Sequence, residues 1–211
     1  MAATLIHLVR HGEVHNPDGI LYGRLPGFGL SDLGKRMAAA AAKELAGRDI
    51  RSLYASPLQR AQESAAPWAT DYKLAIRTDE RLIEPTNRFE GGKNEFGLGA
   101  FLKPRIWPWI INPWKPSWGE PYTQVTRRML SVIGEAWAAN DGEVVMVSHQ
   151  MPIVMVQRNL GGLKPMHDPR SRRCQLSSIT TLRREGESFV EVGYRDVSSE
   201  LLAQSIDEGA V

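Results

Sequence analysis

Apolar and polar residues alternate along this chain in two rhythms. Thr4 to Val9, Arg51 to Ala55, Leu74 to Thr78 and Glu143 to Val147 are short runs of strand type, and the β-branched last run predicts a central strand buried on both faces. Between them, apolar residues recur every three or four positions, as one face of a helix requires. Leu33, Met37, Ala41 and Leu45 make the first such face, with Ser31 as its N-cap and Gly47 as its stop. Ser56-Pro57 is expected to open a second helix running to about Trp68, since proline fits a first turn. Gln124 to Ala139 predicts a third, ended by Asn140-Asp141-Gly142, and Met151 to Leu160 a fourth, ended by Gly161-Gly162. Leu176 to Leu182 and Phe189 to Tyr194 predict a late strand pair around Glu185-Gly186. Strands alternating with helices predict an α/β fold, a three-layer α/β/α sandwich, in one domain over 1–211. Residues 198–211 are expected to be a loosely held tail.

One segment breaks the rhythm. From Glu84 to Tyr122 the chain carries Trp107, Trp109, Trp114 and Trp118 among six prolines. No single regular element accommodates that, and an excursion of this length reads as an irregular cap or lid over 84–122, or as the cover of a small subdomain. Lys103, Arg105, Trp107, Trp109, Lys115 and Tyr122 are its candidates for contacting a second anionic or aromatic group, and its tryptophans offer a homodimer contact.

Composition narrows the class. Apolar residues at 42% and charged residues at 24% are ordinary for a soluble domain, and a formal charge of +2 is too small to point to nucleic acid. Cys174 is the single cysteine, so no intrachain disulfide and no cysteine metal cluster can form. Met1-Ala2-Ala3-Thr4 lacks a basic signal region and no apolar run spans a bilayer, so no membrane association and a cytoplasmic location are expected. Arg170-Ser171-Arg172-Arg173 reads as a solvated loop rather than a nucleic-acid site, because no stacking aromatics adjoin it, with the binding of an anionic substrate tail as its other reading. His11 and His15 stand four apart, but Gly12 and the strand end argue against a shared helical face, so no metal site is expected.

Chemistry concentrates where strands end. The first run closes in Arg10-His11-Gly12, delivering a guanidinium and an imidazole to one sheet edge, where open α/β sheets bind ligands. Tyr54-Ala55 leads into Ser56-Pro57-Leu58-Gln59-Arg60-Ala61, which sets Arg60 near a helix N-terminus that already favours anions. Val144 to Val147 leads into Ser148-His149-Gln150. Two strands ending in histidine and two arginines converge naturally on one edge, an arrangement suited to a phosphate dianion.

These three ordered motifs, with Leu30-Ser31-Asp32-Leu33-Gly34, resemble the histidine phosphatase superfamily, also called phosphoglycerate mutase-like. The resemblance extends across most of the chain and implies the phosphoglycerate mutase-like sandwich. It also implies a metal-independent, cofactor-free phosphomonoesterase acting on a small phosphorylated substrate. His11 would attack phosphorus from a neutral nitrogen, its other nitrogen donating to a backbone acceptor. Arg10, Arg60 and a protonated His149 would cradle the phosphoryl group, with Gly12, Asn16 and Gln150 as further binding positions. Glu84, after Leu82-Ile83, matches the family's general acid/base and a bound dianion would raise its pKa; Glu90 is its rival. Glu13 and Glu63 read as local hydrogen-bonding residues. Gln150 replaces a common glycine, Asn16 is offset by one position, and the spacing from Glu84 to Glu90-Gly91 is compressed, which bears on substrate contacts. Mutases of the family carry a longer insertion with paired arginines after the acid. Pro85-Thr86-Asn87-Arg88 holds one arginine, which favours a phosphatase over mutase-type phosphoryl transfer. A non-catalytic phosphate-binding protein would be expected to lack at least one of these groups, and none is missing.

Overall fold

A computed structural model of the chain describes residues 2–92, 119–197 and 199–207. Its strands are β1 (Leu5–Arg10), β2 (Ile50–Ala55), β3 (Ile76–Thr78), β4 (Glu143–Ser148), β5 (Ile179–Glu185) and β6 (Ser188–Arg195). Its α-helices are α1 (Asp32–Glu44), α2 (Gln59–Tyr72), α3 (Tyr122–Ala139), α4 (Gln150–Leu160) and α5 (Ser199–Gln204). The strands form one six-stranded sheet in the order β3-β2-β4-β1-β5-β6. β1, β2, β3 and β4 run parallel, while β5 and β6 close one side antiparallel.

Burial on both faces explains the apolar strands. In β4, Val144 and Met146 turn to a core built with Val125, Met129 and Ile133 of α3 and Ile153 and Val156 of α4. Val145 and Val147 turn the other way, to Met37 and Ala41 of α1 and Ala61, Ala65 and Trp68 of α2. Alternation across the pleat thus feeds two helical layers at once, which gives the α/β/α sandwich. Pairing of β1 with β4 from Leu5↔Glu143 to Arg10↔Ser148 brings the carboxyl ends of these two strands level. That register places Arg10-His11 beside Ser148-His149.

Helix ends differ from the sequence reading where packing overrides local signals. Ser31 does cap α1, its Oγ accepting from Gly34 N at 2.9 Å. α2, however, starts at Gln59 rather than at Ser56-Pro57, and it continues through Pro67 to Tyr72. Burial of Ala61, Ala65 and Trp68 along one face holds that helix together despite an interior proline.

The excursion after Glu84 leaves and re-enters the fold at one place. Asn87 and Gly119 form an antiparallel bridge, and Glu120 N donates to Thr86 O at 3.3 Å. Lys103, Arg105, Trp107, Trp109, Trp114, Lys115 and Trp118 lie outside the described residues. The tail expected to be loosely held carries α5, whose Leu201 and Leu202 pack against the α1–α2 core. Among the described residues no helix is long and apolar enough to cross a membrane.

Two glycines should respond to alanine with opposite signs. A Cβ on Gly34 in α1 would stand 2.0 Å from Glu13 O, whereas one on Gly134 in α3 meets nothing within 4 Å. Alanine gains about 1 kcal/mol of helix propensity at either position. Forcing backbone apart costs about 1–3 kcal/mol and wins at Gly34. Urea denaturation should show Gly134→Ala stabilised and Gly34→Ala destabilised.

Candidate active site

The carboxyl ends of β1, β2 and β4 deliver the site, and the backbone around them is locked. His11 N donates to Ser148 O at 3.1 Å, Ser177 N donates to His11 O at 3.2 Å, and Ser56 N donates to Val147 O at 2.9 Å. Gly12 is required at the turn, since a Cβ there would lie 2.5 Å from Gly34 O of the incoming helix. Its N–H donates to Ser64 Oγ, which in turn donates to Arg60 O, so the first strand end is tied to the arginine-bearing helix.

Arg10, His11, Arg60, Glu84 and His149 are all brought together and all buried. His11 Nδ1 lies 2.8 Å from Gly12 O. A carbonyl only accepts, so Nδ1 carries the proton and Nε2 keeps its lone pair. Nε2 has no hydrogen-bond partner among the described residues. Burial first, then Arg60 and Arg10, hold the His11 pKa well below the usual histidine value, so the ring is neutral. The His149 ring sits 5.1 Å from that of His11, centroid to centroid, tilted by 60°. Its Nε2 lies 2.7 Å from Ser56 Oγ, and its Nδ1 lies 3.6 Å from a Glu84 carboxylate oxygen.

The resemblance implies a protonated His149 around a bound phosphoryl group, and the protein's own groups work against that charge. Burial, Arg60 and His11 push its pKa well below the usual value, leaving it neutral. Glu84 moves the other way. Burial raises its pKa to about 7 against the opposing pull of Arg60 and Arg10.

Two cations face these groups. Arg60 lies in the first turn of α2, donates from Nη2 to Gly23 O at 2.7 Å, and sits 4.7 Å above the Tyr22 ring. Burial lowers its pKa from a very high starting value. Arg10 donates from Nη1 to Cys174 O at 2.7 Å and grips both carboxylate oxygens of Asp207. Burial works against the Arg10 charge, but Asp207 outweighs it and holds the pKa above its ordinary value. Arg10 Nε, His11 Nε2, Arg60 Nε, Glu84 Oε1 and His149 Nδ1 are buried without a partner among the described residues. Of these, the two arginine Nε–H groups are buried donors that an oxyanion can satisfy, while His11 Nε2 keeps a lone pair beside them.

Other candidates fall elsewhere. Glu90 accepts from Arg24 N at 3.1 Å and Asn87 N at 3.2 Å, so it braces the loops beside the site. Asn16 spends both amide atoms on Ile20 backbone groups, at 2.9 and 3.0 Å, and does not turn to the histidines. Gln150 opens α4, and its Oε1 accepts from Arg172 Nη1 at 2.9 Å. Glu13 accepts from Ser31 Oγ, and Glu63 from Leu30 N and Gln59 Nε2. His15 is exposed, and no metal-binding group of three or more His, Cys, Asp or Glu occurs among the described residues. Tyr122 starts α3 with its ring 6.4 Å from that of His167.

Four contributors carry no signal in the linear sequence. Ser56 belongs to a motif read for its turn, yet its hydroxyl contacts His149. Tyr22 lies in a loop without periodicity. Arg172, read as part of a solvated loop, is half-buried and joins Gln150 to His167 Nε2 at 3.0 Å. Asp207 comes from the tail.

Comparison with known proteins agrees with this geometry. Residues 6–197 match the model of the histidine phosphatase superfamily, branch 1. An uncharacterized protein of Mycobacterium tuberculosis is 52% identical over 192 residues, covering 90% of this chain and 95% of that one. A 2,3-bisphosphoglycerate-dependent phosphoglycerate mutase of Thermoplasma acidophilum is 35% identical over 149 residues, covering 69% of this chain and 70% of that one. The native structure of a mycobacterial glucosyl-3-phosphoglycerate phosphatase superposes with a TM-score of 0.71 at 25% identity, covering 92% of this chain and 99% of that one. With its two strand-end histidines and two buried arginines at one sheet edge, the chain belongs to the histidine phosphatase superfamily.

Proposed function

We propose that the protein hydrolyses small phosphomonoesters through a phosphohistidine on His11, with Glu84 as general acid and base. The observation that carries this reading is His11 Nε2, a lone pair without a partner beside two buried guanidinium groups, its tautomer set by Gly12 O. A phosphate dianion repels nucleophiles, so neutralisation and positioning do most of the work. At 4 Å and an effective dielectric near 20, each guanidinium supplies roughly 4 kcal/mol of attraction. His11 Nε2 attacks phosphorus while Glu84, protonated, gives its proton to the leaving oxygen. The same carboxylate then takes a proton from the water that attacks the phosphohistidine. His149, its ring 5.1 Å from that of His11, stands beside Glu84, and a bound dianion favours its protonation.

A mutase reading has a named relative behind it. The single arginine in Pro85-Thr86-Asn87-Arg88 favours hydrolysis instead. Relatives named for phosphoglycerate and for glucosyl-3-phosphoglycerate direct the substrate search to esters with a carboxylate near the phosphate. Arg172, half-buried beside Gln150, is a cation placed to meet such a group.

Three outcomes test these assignments. Acid-labile radiolabel from a phosphate ester should map to the His11 peptide and vanish in His11→Ala. Incubation with 3-phosphoglycerate and a bisphosphate primer should release free phosphate, and rapid isomerisation without release would assign a mutase. Because Glu84 must hold its proton for the first step, kcat/KM should fall as pH rises through about 7. Glu84→Gln should remove that limb and cost an alkyl phosphate about 10²–10⁴ in kcat. A phenolic ester whose leaving group needs no proton should lose far less.

A further inference from the structure

The tail reaches the site by a defined path. Beyond α5, Ile206 N donates to Glu13 Oε2 at 2.7 Å, next to the first strand end. Asp207 then sets Oδ2 2.7 Å from Arg10 Nη1 and Oδ1 2.5 Å from Arg10 Nη2. Arg10 is fully buried, whereas the Asp207 side chain is 34% exposed.

Arginine has five N–H bonds arranged as two forks, one at the end between the terminal nitrogens and one along the side between Nε and Nη2. Asp207 takes the end fork, and Cys174 O takes the remaining hydrogen of Nη1. What is left is the side fork. Its Nε is buried without a partner among the described residues, as are His11 Nε2 and Arg60 Nε. Two parallel N–H bonds in that fork match two oxygens of a phosphoryl group.

We infer that Asp207 is a positioning residue: its carboxylate clamps the end of Arg10 so that the side fork is presented to the substrate phosphate. The inference rests on the phosphate-site reading above and adds a contribution from the tail to it. Without the clamp, a fully buried guanidinium lacks its counter-charge and can turn to find another partner. The carboxylate touches no reacting atom, so its effect passes through Arg10 alone. The alternative is that Asp207 competes with phosphate, and the partnerless Nε argues against it, because a competitor would be expected on the fork that phosphate uses.

Binding of inorganic vanadate and phosphate, read by calorimetry on the full chain, decides the matter. Asp207→Asn and Asp207→Ala should each weaken both oxyanions about tenfold, the scale of one charge-assisted hydrogen bond. Asp207→Glu, which keeps the charge, should recover most of that loss, while thermal midpoints should fall in Asn and Ala, where the buried guanidinium loses its counter-charge, so affinity is read on the folded protein. A structural role alone would move the midpoints and leave oxyanion binding in the folded protein unchanged. Unchanged affinity in Asn and Ala overturns the clamp, and tighter binding in either makes the tail a competitor and overturns it too. Failure of the wild-type chain to bind either oxyanion would remove the phosphate site and the clamp together. Normal clamp behaviour without label on His11 would leave Asp207 in place and sink only the hydrolytic reading.

Discussion

Two guanidinium groups held out of water beside a neutral imidazole govern this molecule. Burying an ion costs several kcal/mol unless partners replace the lost water. Arg60 is met by Gly23 O and the Tyr22 ring, Arg10 by Cys174 O and Asp207. Each partner comes from a different stretch of chain, so the site exists only when the whole sandwich is assembled. The concentrated positive charge then needs an anion, and the partnerless nitrogens of both arginines define where one fits.

The same burial sets the protonation of the remaining groups. It pushes His11 and His149 down and Glu84 up, in each case toward the uncharged form. A neutral imidazole at His11 and a carboxyl with a pKa of about 7 at Glu84 share one leading cause, exclusion of water, with Arg60 and Arg10 adding to it at His11 and opposing it at Glu84. Arginine remains protonated through the same treatment because its starting pKa is so high. One environment thus yields fixed cations alongside groups that gain and lose protons.

The sheet makes that environment by register. β1 and β4 end level, and β2 ends beside β4, so three turns face a common edge. Gly12 allows α1 to approach to contact distance, and Ser64 ties that turn to α2. Just after Glu84, Asn87 bridges to Gly119 and Thr86 O accepts from Glu120 N, which ties the acid's neighbours to the approach to α3.

Much of this was legible in the linear chain, because strand and helix periodicities are local and both faces of β4 are written in its own residues. Arg10, His11, Arg60 and His149 could be named for the same reason, each following or lying near a strand whose end must meet the others, whereas Glu84 was named only through the family resemblance. The late start of α2 and its extension past Trp68 to Tyr72 were not legible, since packing outweighs the local signal. Asn16 was misplaced because its amide satisfies its own loop, a choice made by turn geometry. His149 was expected to carry a charge around a phosphoryl group, and the burial that opposes that charge comes from elements far away in sequence. Asp207 escaped notice because its position has no periodicity and its partner, Arg10, lies 197 residues away, while Arg172 was visible only as one of a basic cluster without its partners Gln150 and His167. Local pattern settled the elements and the residue types at the strand ends. Protonation, orientation and the contribution of the tail were settled by packing, because they depend on which charges share a space from which water is absent.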